Sequence, residues 1–376
     1  MTASKILVIN VGSTSIKFDL FDVDSDTAIA RGEMTRTDSI EAAINAIAER
    51  LDSSVTIDAI GHRVVHGGAE LVAPARIDAR VESIIAACAR FAPLHNPASL
   101  AGIRAARVRW PNIPHVAVFD TAFHATMPAA AFTYALPRSV CREHGIRRYG
   151  FHGPSHAFMA ARTAELLGIE LTRLRAITIH LGGGASVAAI ANGVSIDTSM
   201  GTTPLEGLVM DTRSGDLDPA IVILLARAGY SLDQLDDLLE KHSGLAGISG
   251  LGSDFRAIEA AAARGDGSAQ LALDVFVHRI RKYVGAYAAE LGGADAIAFA
   301  GGIGQHSALV RERVCATLGF MGVELEPARN RAARPELGSA IDVSDARATT
   351  KVLVVHTDEE QMIARDVARC TELDRA

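Results

Sequence analysis

The sequence predicts an α/β protein built as two sheet-centred lobes. Three observations point there. Apolar, strand-like runs alternate with segments of helical spacing from end to end. A strand–turn–strand unit near the N-terminus, "LVINVGSTSIKF", returns about 170 residues later as "ITIHLGGGASVA", each with a polar last strand residue (Asn10, His180) and a glycine two on (Gly12, Gly182). The chain of 376 residues is long for one hydrophobic core and comfortable for two.

The elements follow in order. "KILVINVG" (Lys5–Gly12) and "IKFDLFDVD" (Ile16–Asp24) read as strands joined at "GSTS". "DSIEAAINAIAERL" has helical spacing, with Asp38 or Ser39 as its cap. "DAIGHRVVH" and "HVAVFDT" (His115–Thr121) are strands. "PSHAFMAARTAELLG" is a helix: Pro154 suits its first turn, where a missing N–H costs nothing, and Gly168 suits its end. "RAITIHLGGGASVAAIANG" is the second strand–turn–strand. "AIAFAGGIGQHSALVRERV" (Ala296–Val314) is strand, glycine-rich bend and helix, and "KVLVVHTDEEQMIARDVA" is strand, polar turn and helix.

Composition excludes several classes. Apolar residues make up 49% and charged residues 22%, ordinary for a soluble globular protein. A net charge of −7 and a pI near 6.0 argue against nucleic acid or an anionic membrane as partner. "MTASKILVIN" lacks the blocks of a signal peptide, and "AIVILLARAG" (Ala220–Gly229) is too short to span a bilayer. Cys88, Cys141, Cys315 and Cys370 are scattered without a C-x-x-C pair, which suits a reducing cytosol.

Chemistry concentrates where glycine-rich turns follow apolar strands: Gly12 to Ser15, Gly182-Gly183-Gly184, and Gly301-Gly302-Ile303-Gly304. Glycine lets backbone N–H groups converge on an anion. Ser13 and Ser15 add hydroxyl donors and Lys17 a cation, so the set fits a polyphosphate cradle. None is a Walker loop or a full dinucleotide fingerprint. Arg213, in "MDTRSGDLDP", either pairs with Asp211 or Asp216 or serves a site. Asp254, in "SDFRAIE", either caps a helix or holds a ribose or base edge. Asp120 and Glu359 follow strands and are either solvated caps or magnesium-holding acids. His152 and His156 stand four apart, but Gly153 and Pro154 interrupt the helix a zinc pair needs. His62, His66 and His124 read as structural, whereas His95, His152 and His180 lie in bends and are site candidates. Arg63, in "AIGHRVVHGG", has no acid within its strand. Either a distant carboxylate or a ligand must neutralise it.

With these motifs in place, the chain resembles the acetate kinase family. The likeness runs in order through "ILVINVGSTSIKF", "GHRVVHGG", "FDTAFHATMP", "RYGFHGPSH", "HLGGGASV", "MDTRSGDLDP", "SGLGSDFR", "AGGIGQHS" and "HTDEEQMIA", over nearly the whole length. It implies two actin-like (ribonuclease H-like) lobes with an interlobe active-site cleft. One lobe would span 1–123 plus 360–376, and the nucleotide-binding lobe 124–359. It implies a cytoplasmic homodimer that reversibly transfers the ATP γ-phosphoryl group to acetate, using Mg2+ or Mn2+. By position, Asn10 and Glu359 would hold the metal. Ser13, Ser15, Lys17, His180, Leu181, Gly182, Gly183, Gly184, Asp254, Phe255, Arg256, Gly301, Gly302, Ile303, Gly304 and Gln305 would line the nucleotide. Arg63 would take the substrate carboxylate as its counter-ion, with His95 nearby. Asp120 would be the catalytic residue, orienting a metal-bound water or Arg213, and His152 and Arg213 would stabilise the transition state. Pro154, Gly183, Thr202, Asp211, Gln305, His306 and Asp358 depart from the family pattern near the acyl pocket and nucleotide floor. A propionate or other short-chain carboxylate kinase, a changed phosphoryl donor, and a non-catalytic nucleotide-binding protein are the alternatives. A carboxylate acceptor has a pKa of about 4–5, so it is ionised at neutral pH and needs no base; the difficulty is bringing two anions together.

Overall fold

The computed structural model describes residues 4–12, 15–35, 39–51 and 55–373. It divides into two compact units. One comprises Met1–Ala125, Leu136–Pro154 and Asp358–Ala376; the other comprises Thr126–Ala135 and Ser155–Thr357. His152 thus counts with the first unit.

Each unit holds a six-stranded mixed sheet. The first contains β1 (Lys5–Val11), β2 (Ser15–Asp22), β3 (Thr27–Thr35), β4 (Ala59–Val64), β5 (Ala75–Arg76) and β6 (His115–Phe119), in the order β3-β2-β1-β4-β6-β5. The second contains β7 (Arg175–Leu181), β8 (Ala185–Ala191), β9 (Val194–Thr198), β10 (Ala296–Ala300), β11 (Ala340–Asp342) and β12 (Lys351–Val355), in the order β11-β12-β10-β7-β8-β9. The two orders are one pattern used twice. In each sheet the first three strands of the unit form an antiparallel meander, and two parallel strands and an antiparallel edge strand follow. The paired hairpins read from the sequence are β1–β2 and β7–β8.

Strand pleating explains the layering. Leu7 and Ile9 face one side of the first sheet and pack with Ile44, Ile47 and Ala106 of helices Ile40–Arg50 and Asn96–Arg109. Ile6 and Val8 face the other side and pack with Ile363, Ala364 and Val367 of helix Glu359–Leu373. Both faces are therefore covered, as the near-continuous apolar runs of the parallel strands require. Each such buried side chain contributes roughly 1.5–3 kcal/mol. Ser39 caps helix Ile40–Arg50, accepting from the Ala42 amide at 3.1 Å; Asp38, the other cap candidate, lies outside the described residues. The predicted helix at Pro154 runs Gly153–Leu167 and ends at Gly168, whose φ of 63° is the left-handed stop.

His62, His115 and His124 are buried in the first unit. His62 and His115 share a ring-nitrogen hydrogen bond of 2.9 Å, and His124 Nε2 pairs with the Phe151 carbonyl at 2.9 Å. Burial lowers all three pKa values, that of His124 to about 4. In the unfolded chain each returns to about 6.5, so the unfolded state binds more protons between those values. Stability from these groups is complete above pH ~6.5 and is lost as pH falls towards the folded pKa, by roughly 1.4 kcal/mol per pH unit per group. The unfolding midpoint is expected to drop between pH 7.5 and 5, and His124→Gln is expected to reduce that drop. An equal pH slope in the variant would remove His124 from the account.

Candidate active site

In the first unit the parallel register of β4 and β6 sets Arg63 opposite Val118. Asp120, just past the end of β6, then meets the guanidinium. Arg63 donates from Nε to Asp120 Oδ1 and from Nη2 to Oδ2, both at 2.9 Å, and Nη1 lies 3.6 Å from Glu359 Oε2. This corrects the reading that leaves the substrate as the counter-ion of Arg63. The neutralising carboxylate is Asp120, brought alongside by strand pairing. Within the first unit the guanidinium that Asp120 meets is that of Arg63. Burial works against the charge on Arg63, but Asp120 and Glu359 together hold its pKa above the usual arginine value.

His152 and Gly153 pack onto the same place. His152 has a φ of 59°, a left-handed conformation that costs a non-glycine residue about 1–2 kcal/mol. Gly153 donates its amide to the Asp120 carbonyl at 2.9 Å, and a Cβ there would lie 2.3 Å from that oxygen. Glycine is obligatory because the backbones touch. The strain on His152 and this close approach fix the imidazole's chain position beside Asp120. His95 ends the turn before helix Asn96–Arg109 and is half-buried. Its neighbour Asn96 is buried and bonds His66 N, His66 O and the Ile85 carbonyl.

Acidic side chains gather beside the same C-terminal end of β1, where Ile9 pairs His62 and Asn10 follows alongside Arg63. Asn10 donates to Glu360 Oε1 at 3.1 Å. Asp19, Asp358 and Glu360 bring ligand oxygens within 4.8 Å of one another, and Arg31 pairs with both Asp19 and Asp358. Burial, then the Glu360 charge, push the Asp19 pKa up to about 7. Of the two residues assigned to a metal, Asn10 therefore joins this group, while Glu359 faces Arg63. The carboxylates Asp19 and Glu360 were missed, because nothing local marks acids hundreds of residues apart as neighbours. Lys17 is exposed on β2 opposite Asn10, Ser15 opens that strand, and Ser13 lies outside the described residues.

The second unit holds a cleft of about 640 Å³. Of the predicted nucleotide residues, Gly182, Gly183, Asp254, Phe255, Arg256, Gly302 and Ile303 line it. Asp254 both lines the cleft and caps helix Phe255–Ala263, accepting from the Arg256 amide at 3.0 Å. The two alternatives for it are thus compatible. Asp211, Glu259, His306 and Ser307 complete the lining. Asp211 Oδ1 is buried without a hydrogen-bond partner among the described residues. Burial, reinforced by Asp254 and opposed by Arg213, raises its pKa to about 6. His180 bonds Ser155 Oγ through Nδ1 at 2.7 Å, Leu181 is fully buried, and Gly184 closes its turn by accepting from Gly182 N at 2.9 Å. Gly301 has a φ of 76°, and a Cβ there would sit 2.5 Å from the Leu181 carbonyl oxygen, so the two glycine turns meet backbone to backbone. Gly304 and Gln305 are buried behind the lining residues, and the Gln305 amide donates to the Val355 carbonyl of β12 at 3.3 Å.

Arg213 is half-buried in the same unit. It pairs with Glu240 at 3.2 Å and donates to the Pro204 carbonyl at 3.1 Å. Neither Asp211 nor Asp216 is its hydrogen-bonded partner; Asp216 instead takes Arg279 and the Tyr283 hydroxyl. Glu240, on helix Leu232–Lys241, carries no local signal that sequence reasoning could use.

Comparison with known proteins now decides the family. The model of the acetokinase family matches residues 28–365. The chain belongs to the acetokinase family. Among its relatives in that family, the acetate kinase of Clavibacter michiganensis subsp. michiganensis is 47% identical, covering 97% of this chain and 99% of that protein. The acetate kinase of Natranaerobius thermophilus is 44% identical, covering 96% and 98%. Solved acetokinase-family structures agree in fold. The Porphyromonas gingivalis acetate kinase superposes with a TM-score of 0.89 at 39% identity, covering 98% of this chain and 100% of that one. A propionate kinase from Francisella tularensis superposes with 0.90 at 36% identity, covering 97% and 99%.

Proposed function

We propose that the protein is an acetate kinase, reversibly transferring the γ-phosphoryl group of ATP to acetate to give acetyl phosphate and ADP. The observation that carries this reading is acetokinase-family membership over residues 28–365, on a chain whose second unit holds a glycine-lined cleft of nucleotide size. In this reading ATP lies in that cleft, with the Gly182 and Gly183 amides at its phosphates and Asp254 and Arg256 at its nucleoside end.

Arg63 holds the carboxylate substrate, with His95 close by. Asp120 does not act as a base: it accepts two N–H groups from Arg63, and an ionised acceptor has no proton to lose. Its work is to keep the guanidinium plane fixed. Arg213 and His152 offset the charge that spreads over the equatorial phosphoryl oxygens during in-line transfer. The oxygen donors Asn10, Glu359 and Glu360 suit a hard divalent cation, Mg2+ or Mn2+. When bound, such an ion supplies neutralisation of phosphate charge.

We also assign the protein to the cytoplasm and to a homodimer. No disulfide forms among the described residues, and no helix among them is long and apolar enough to cross a membrane. Helix Pro219–Arg227 buries none of its residues. It exposes Ile223 at 53% and Leu224 at 61%, and Leu232 nearby is 80% exposed. A second copy covering that apolar face explains it. Leu224→Lys with Leu232→Lys is expected to halve the mass seen by light scattering. Unchanged mass would place the interface elsewhere.

Hydroxamate trapping of acyl phosphate tests the reaction, crossing acetate, propionate and butyrate with ATP, GTP and pyrophosphate. Acetate with ATP is expected to give the highest kcat/KM. The likeness to a propionate kinase makes propionate the second reading, and one methylene separates the two by only about 1–3 kcal/mol. Absence of acyl phosphate with every acid and donor would overturn the activity.

A further inference from the structure

Arg311 is fully buried, at 0% exposure, on helix Ala308–Cys315. Every hydrogen bond it makes goes to a neutral acceptor. Nε donates to Asn330 Oδ1 at 2.7 Å, Nη2 to the Asn330 carbonyl at 2.6 Å, and Nη1 to the Gly304 and Gln305 carbonyls, both at 2.8 Å. No carboxylate among the described residues forms an ion pair with it. Burial, and the like charge of Arg334, lower its pKa to about 10, so it stays a cation at neutral pH.

A buried guanidinium without a counter-ion is costly, and a core position alone is filled more cheaply by an apolar side chain. What it supplies is a planar fork that grips several carbonyls at once. Two of those carbonyls end the short helix Gly301–His306, where a cation meets the negative end of the peptide dipoles. Gly302 and Ile303 before the gripped residues, and His306 and Ser307 at and just beyond the helix end, line the nucleotide cleft. The opposite side of the grip is equally fixed: Asn330 Nδ2 donates to the Ala308 carbonyl at 2.9 Å.

We propose that Arg311 is a positioning residue for the nucleotide, clamping the backbone of Gly304 and Gln305 so that the glycine turn before them keeps its register against Leu181. This rests on the reading of the cleft as the nucleotide site. Gly301 already lies against the Leu181 carbonyl with no room for a Cβ, so a shift of the clamped segment passes directly to the His180–Gly184 turn. Displacements near an ångström suffice to cost binding heavily.

The test uses Arg311→Lys and Asn330→Ala, with ADP affinity by titration calorimetry, acetate KM, and thermal unfolding to establish the folded fraction. Lysine keeps the charge but cannot span both carbonyls and Asn330. ADP affinity is expected to weaken about tenfold in Arg311→Lys and two- to fivefold in Asn330→Ala, with acetate KM within twofold of wild type. If Arg311→Lys does not fold, Asn330→Ala decides by the same split. ADP affinity within twofold of wild type in the folded variants would overturn the proposal, as would ADP and acetate constants moving together. Wild-type protein that binds no ADP would instead remove the nucleotide reading, and the proposal with it.

Discussion

Replacing Arg213 with alanine is expected to lower turnover about 10³-fold with native secondary structure retained. The expectation follows from preorganisation. The Arg213 side chain is held by Glu240 and the Pro204 carbonyl, and its own backbone closes a tight loop in which Met210 N donates to Arg213 O at 3.1 Å. Gly244, with a φ of 64°, tucks under that loop where a Cβ would strike the Met210 carbonyl oxygen at 2.3 Å. The guanidinium therefore loses little freedom when phosphoryl charge develops. Burial lowers its pKa, and the neighbouring Glu240 and Asp211 charges offset that only in part. In the proposed reading the contact strengthens only in the transition state, so the loss is expected mainly in kcat. Arg213→Lys is expected to recover part of it, limited by the loss of the planar fork. A fall of less than tenfold in a folded alanine variant would take Arg213 out of the transition state. Glu240→Gln gives a second handle: Arg213 loses its charged partner and should drift, with a smaller fall in kcat.

Much of the fold was legible because burial writes a local signature. β1, β4, β6, β7, β10 and β12 are short apolar runs flanked by polar turns, and sheets covered on both faces need such runs. The matched hairpins announced the repeated sheet. Elements at the edges were less visible. β3 and β9 are partly exposed and mix Glu33, Arg31 or Asp197 with apolar residues, so neither period dominates. Helix Gly267–Leu291 went unread although its buried residues, Ala269, Leu273, Phe276, Ile280, Val284 and Tyr287, step by three and four; that signal was present. At the site, glycine turns revealed the cleft because close backbone approach leaves few other residue choices. Long-range side-chain pairing was not legible. Arg63 finds Asp120 57 residues away, and Asn10 finds Glu360 350 residues away. Strand register creates the first meeting and the packing of helix Glu359–Leu373 on β1 the second, and no local pattern encodes either. Gln305 shows the same limit in a helix: it follows the glycine turn directly, yet its phase points it to β12 rather than into the cleft.

The Arg63–Asp120 pair yields the other large effect. Arg63→Ala is expected to lower kcat/KM for acetate by about 10²–10³-fold, mostly through KM, because in the proposed reading the substrate carboxylate loses the positive charge that Asp120 holds in place. It also strands Asp120, which is 1% exposed, and leaving a buried charge unpaired costs roughly 3–5 kcal/mol. A lower unfolding midpoint should accompany the kinetic loss. Asp120→Asn separates the roles. If Asp120 only fixes the guanidinium, the variant keeps much of its fold, loses activity through misplacement of Arg63, and shows the same pH dependence of kcat as wild type. A base would behave otherwise: its removal would abolish a limb of the pH profile. The double variant Arg63→Ala/Asp120→Asn should then be little worse than Arg63→Ala alone, since an orienting residue has nothing left to orient. Fully additive losses, or a vanished pH limb in Asp120→Asn, would show that Asp120 acts on the reacting atoms directly.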